Sequence, residues 1–254
     1  MIKPLFAYAA IALFSFCGCE KEPTTTDDKT TFKSYSVYEG ETLAELQLTN
    51  EVSFKYNAQR QLVLKTEKLY EDGSMMGSIF YDYEYRNNQV IETYSSDFTG
   101  TKVAYERGYI FLNANNLVEK DSTVDLSDFT TYVSHYTYEN GHRIYNYIDD
   151  TMNSGSVFAW MGDNQTHEYL ISGLMGRFEI AKYEYGNKLN TIDFGDFWLD
   201  GEKSKNLPEK CTEPNYEYTY TYKIETDGFV SERITAVSSP GGPPNGYEKI
   251  VYHR

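Results

Sequence analysis

The chain has 254 residues, with 23 Lys and Arg against 38 Asp and Glu, so its formal charge is −15. A surface that acidic repels phosphate backbones, which excludes nucleic acid as a partner. Its 25 Tyr and 14 Phe favour pleated, half-buried strands, and the mature part has no Ala-rich helical stretch.

The first segment is a leader. Lys3 gives a basic head, residues 5–16 are almost unbroken apolar, and the small Gly18 precedes Cys19. The apolar core is shorter than the ~20 residues a membrane span needs, so the order reads as a secretory signal. It resembles the lipobox of bacterial lipoproteins. That resemblance implies removal of residues 1–18, loss of Cys17 and acylation of Cys19. Loss of Lys3 takes the mature chain one charge further negative, and acyl chains, at ~0.8 kcal/mol per methylene, would anchor it against repulsion from anionic lipid.

Residues 20–31 contain no large apolar side chain and read as a flexible tether. The start of that segment, Cys19-Glu20-Lys21-Glu22, resembles in part the Lys-plus-acid export signal of surface lipoproteins in Bacteroidota. The resemblance implies the outer membrane, with the cell surface favoured over the periplasmic face. The expected plan is a signal peptide over 1–18, a lipidated Cys19 and tether over 19–31, and one domain over 32–254.

Within that domain, residues 41–48 form the one passable helical pattern, and it reads equally well as strand. From Tyr35 onward, period-two alternation dominates. Tyr81, Tyr83 and Tyr85 share one face while Asp82, Glu84 and Arg86 take the other; Tyr216, Tyr218, Tyr220 and Tyr222 repeat the scheme. Polar turns punctuate the strands at 57–61, 86–89, 113–116, 139–142, 186–188 and 227–228, where Asn-Gly and Asp-Gly accept positive φ cheaply. The lead positions Tyr56, Tyr85, Leu112 and Tyr138 are about 26 to 29 residues apart, the length of one hairpin plus its return. Further strands are expected near 157–161 and 248–252, with a rigid loop at 240–246 between them. The sum is an all-β domain, a long antiparallel meander of roughly 12 to 14 strands curled into a soluble barrel or rolled sheet.

The unit "aromatic-x-Tyr, polar turn, aliphatic" resembles the Tyr-Asp repeats of secreted bacterial proteins. Residues 35–254, most closely 216–224 and 250–252, are similar to a family of Bacteroidota lipoproteins with a porin-like antiparallel β-barrel fold. The resemblance implies a fold and no activity. Spanning strands also alternate, but a lipid anchor would be redundant on an embedded barrel, and Tyr252-His253-Arg254 lacks a terminal aromatic. An inward apolar face is therefore expected.

Chemistry is sparse. His135, His142, His167 and His253 form no short-spaced zinc pattern; His135 is expected in a strand and His142 exposed after a turn. No Gly-x-Ser-x-Gly elbow is present. Cys211 sits in a loop-like stretch between Pro208 and Pro214, without a base beside it. Asp121, Asp125 and Asp128, and Asp193, Asp196, Asp200 and Glu202, are acid clusters that read first as solvated loops. Calcium ligation or a glycosidic acid pair is the sharper alternative. No catalytic residue, metal or cofactor is expected. Trp160 and Trp198, with Asp196 beside the latter, are the candidate platform for stacking on a sugar ring, or else core residues where the sheet curls. The expected function is a lipid-anchored, non-catalytic binding or structural module of the cell envelope. A polysaccharide- or small apolar ligand-binding accessory is the alternative, and a glycoside-cleaving enzyme a distant one.

Overall fold

The computed structural model describes residues 32–148, 154–173, 176–192 and 203–254. Among them sixteen strands run in chain order. The first eight are β1 Ser34–Gly40, β2 Gln47–Tyr56, β3 Leu62–Glu71, β4 Ser74–Arg86, β5 Gln89–Asp97, β6 Val103–Leu112, β7 Val118–Asp125 and β8 Thr131–Glu139. The rest are β9 His142–Ile148, β10 Gly155–Met161, β11 Asn164–Ser172, β12 Gly176–Leu189, β13 Asn206–Thr212, β14 Glu217–Ile224, β15 Val230–Ser238 and β16 Pro244–His253. Each pairs antiparallel with its sequence neighbours, and β1 pairs with β16, so the sheet closes into a barrel without free edges. The sixteen strands exceed the expected 12 to 14. Residues 41–46 are neither helix nor strand but the loop before β2, and the turn expected at 186–188 lies inside β12.

The recurring sequence unit has a direct structural meaning. Each lead aromatic or Leu closes a hairpin opposite the aliphatic that follows the turn: Tyr56 faces Leu62, Tyr85 faces Val90, and Leu112 faces Val118. Register shifts after Lys55, Phe111 and Thr137 absorb the odd residue and keep Tyr56, Leu112 and Tyr138 inward. All four lead positions belong to, or pack against, one core cluster at the base of β2 to β8. Val52, Leu62, Val90 and Val118 are at most 2% exposed there, so this part of the lumen is filled with side chains, not water. A second cluster, around Phe32, Leu207, Val230 and Tyr252, packs the base of β1 and β13 to β16. Phe32 stacks on Phe229 at 5.0 Å, and its carbonyl accepts the Tyr56 hydroxyl at 3.1 Å.

The outer wall mixes charged pairs with apolar side chains such as Ile91, Tyr109 and Phe111, which share the outward face of β5 and β6. In β4 the Tyr face is inward, as the alternation predicts, and Asp82, Glu84 and Arg86 point outward. Ion pairs ring the outside: Glu51–Lys68 at 3.5 Å, Glu84–Arg86 at 2.8 Å, Lys210–Glu217 at 2.7 Å and Glu232–Lys249 at 2.9 Å. Such pairs add little stability. Their placement matters more, because Lys or Arg at the midplane of a lipid-facing wall costs about 2–4 kcal/mol each.

The two ends differ. At one, most hairpins close through short polar turns, Asn140 and Gly141 taking the left-handed pair a tight hairpin needs with φ of 52° and 84°, and the longer β12–β13 connection lies at the same end. At the other, connections at 41–46, 98–102, 126–130 and 239–243 frame the mouth, beside the two-residue Asp72-Gly73 turn. Leu43, Met75, Phe98, Phe129, Tyr132 and Tyr216 stand exposed around that end.

Candidate functional site in the barrel mouth

Above its packed base the lumen changes character. Alternation along β1 carries the inward face from Tyr35 and Val37 to Glu39, and along β16 from Tyr252 and Ile250 to Glu248. Closure of the barrel sets Glu39 directly opposite Glu248. Beside them β15 contributes Arg233 and Thr235, and β14 contributes Tyr218 and Tyr220. These groups line a cavity of 620 Å³ that opens at the loop end. Tyr183, Cys211 and Glu213 complete its far wall.

Arg233 pairs with Glu248 at 2.7 Å, and the Thr235 hydroxyl donates to the same carboxylate at 3.2 Å. Tyr218 donates its hydroxyl to Glu213 at 3.3 Å. Burial pushes the hydroxyls of Tyr183 and Tyr220 above the ordinary tyrosine range, so both rings stay neutral. Burial, followed by the Glu213 carboxylate, raises the Cys211 thiol to about 11. A thiol held there is protonated at neutral pH and is no nucleophile. Cys211 is not in a loop, as its flanking prolines suggested, but inward on β13 opposite Tyr183 and Tyr218.

Acids dominate the inner wall elsewhere too. Glu67 accepts a hydrogen bond from Asn50, and Glu92 is hydrogen-bonded to Tyr83, with burial raising its carboxyl. Asp121 accepts the Tyr136 hydroxyl at 2.6 Å. Asp121 therefore lies on an inward strand face rather than in a solvated loop, whereas the Asp125 carboxylate accepts from the Ser127 N–H and hydroxyl in the exposed connection that also holds Asp128. Among the described residues no three His, Cys, Asp or Glu gather as a metal site.

Trp160 lies on β10 beside a second, smaller cavity of 360 Å³ that shares Tyr183 with the first. Its indole nitrogen donates to the Arg143 carbonyl at 2.8 Å, and its ring stacks on His142 at 4.1 Å. His142, expected to be exposed, is 7% exposed because that stack covers it. Cys19, Asp196 and Trp198 lie outside the described residues. Glu39, Glu213, Glu248 and Arg233 carry no local motif. Alternation puts each on a face, but only the β1–β16 closure assembles them.

No protein-family model matches this chain, and no curated protein matches it. Among solved structures, a porin-like protein from Bacteroides uniformis superimposes with a TM-score of 0.66 at 13% identity, covering 87% of this chain and 96% of that one. The fold is porin-like. A second porin-like protein, from Bacteroides vulgatus, aligns over 87% of this chain and 99% of its own at 12% identity, with a TM-score of 0.42. In the porin-like barrel here, Tyr81, Tyr83 and Tyr85 of β4 face the lumen, and the Arg233–Glu248 pair lies within it.

Proposed function

We propose that this protein is a non-catalytic binding module of the cell envelope, held to the outer membrane through acylated Cys19, with its ligand site in the mouth of the barrel. One observation carries the binding reading: a 620 Å³ cavity, of the size small-ligand sites usually have, lies at the loop end of a barrel whose base is packed along β2 to β8 and β13 to β16. Its groups are suited to holding and not to reacting. The thiol is protonated, the tyrosines are neutral, and the one guanidinium is spent on Glu248. The Phe16-Cys17-Gly18-Cys19 order supports the anchor, and the outward ion pairs of β2 to β4 and β13 to β16 argue against lipid contact there. Cys19-Glu20-Lys21-Glu22 supports the outer face of that membrane.

The glycan alternative rests, among the described residues, on Trp160 at the second cavity. A thermal-shift screen separates the readings. Residues 31–254 contain every described strand and both core clusters, so they carry their own stabilising contacts. Screened against ammonium compounds, neutral oligosaccharides, small apolar ligands and Ca²⁺, a mouth ligand at a hundredfold excess over Kd adds about 2.7 kcal/mol and raises the midpoint. A flat response across all classes contradicts ligand binding and leaves a structural envelope protein.

A further inference from the structure

We infer that the ligand of the mouth cavity is an organic cation, an amine or quaternary ammonium group small enough to sit between the Tyr218 and Tyr220 rings and the Glu39 and Glu213 carboxylates. The inference rests on the mouth-binding reading and gives it a ligand class.

Glu39 and Glu248 are register partners on neighbouring strands, with both side chains at the cavity. Like charges placed directly opposite on a sheet repel and cost stability. Glu248 is compensated by Arg233 and Thr235. Glu39 is part of no ion pair among the described residues, although a Gln there would fit the strand without the repulsion. Local electrostatics that work against the fold mark places where function overrides stability.

The same sign recurs across the cavity. Glu213 has the Tyr218 hydroxyl as its hydrogen-bond donor but no Lys or Arg within ion-pair distance among the described residues. Its field is felt by Cys211, Tyr183 and Tyr218, all of which it helps to keep protonated. A cavity with unpaired carboxylates repels anions, and the surrounding low-dielectric wall focuses that field.

The aromatic walls narrow the class from any cation to an organic one. A hard metal ion wants six or more oxygen ligands, and no such set gathers among the described residues. Tyrosine faces beside carboxylates suit a weakly hydrated ammonium group, which is drawn to the ring quadrupole while the carboxylates balance its charge. The barrel already makes such contacts with its own cations: Lys65 lies 4.7 Å from the Tyr81 ring centre, and the Arg233 guanidinium lies 5.7 Å from that of Tyr220.

Calorimetric titration of residues 31–254 with spermidine and with choline, beside a neutral trisaccharide and Ca²⁺, tests this directly. The expected result is saturable binding of at least one ammonium probe, weakening as salt is raised. Joint Glu39→Gln and Glu213→Gln replacement should weaken it tenfold or more. Tyr220→Leu should also weaken it, while Tyr220→Phe keeps it. Glu39→Gln should at the same time raise the ligand-free melting midpoint, because it removes a repulsion; a fall would assign Glu39 a structural role and overturn the inference. Binding of the trisaccharide without either ammonium probe also overturns it, while leaving the mouth as the site. Calcium binding that ignores Tyr220→Leu rejects the organic class. Silence from both ammonium probes rejects it outright.

Discussion

At the residue scale, Trp160 suits two readings in sequence, and its neighbours in space bear on both. Ser156-Val157-Phe158-Ala159-Trp160 announces a strand, and Trp160 is then equally a sugar platform or a core residue. The fold holds it through His142, eighteen positions earlier, whose ring covers one indole face, and through the Arg143 carbonyl that takes the indole proton. Neither contact has a local signal, because hairpin pairing brings them together. Trp160→Ala is expected to cost about 2–4 kcal/mol in urea unfolding, through lost packing and an unmet carbonyl. A stability unchanged within error would return Trp160 to the role of an exposed platform. His142 and Cys211 were misjudged from sequence for the same reason. Turn and proline neighbours suggest exposure, while partners on adjacent strands determine it.

At the element scale, the turns of one end were legible and the other end was not. Asn-rich and Gly-containing tetrads declare themselves because few residues tolerate positive φ. The long connections at 41–46, 98–102 and 126–130 have mixed composition and no such demand at every position, so strands such as β3, β6 and β11 were harder to delimit. Gly186, by contrast, looked like a turn and serves a continuous strand, where it gives room to the Glu209 side chain of β13. Gly155 has a stricter duty at the start of β10. A Cβ there would collide with the Asn146 carbonyl and press on Tyr147, both backbone-fixed neighbours on β9. Gly155→Ala is therefore expected to destabilise by about 1–3 kcal/mol in chemical denaturation. Full tolerance would mean that β9 and β10 are not held at this spacing.

At the largest scale, the barrel of residues 32–254 sets an aromatic and aliphatic base below an inner wall rich in acids and a rim of exposed apolar side chains. Alternation was enough to foresee antiparallel strands and an inward Tyr face. It did not give the strand number or the closure, since β1 and β16 lie at opposite ends of the domain and their pairing depends on every intervening strand. The mouth cavity, which straddles that seam, was invisible for the same reason. The central proposal is that this porin-like wall faces water and its lumen holds a ligand, with membrane attachment through Cys19 and not through the strands. Flotation of residues 31–254 with liposomes, coupled to planar-bilayer recording, tests it most directly. The account predicts a folded barrel that stays in the aqueous fraction without detergent and opens no conductance. Co-flotation with the vesicles accompanied by discrete channel steps would contradict it.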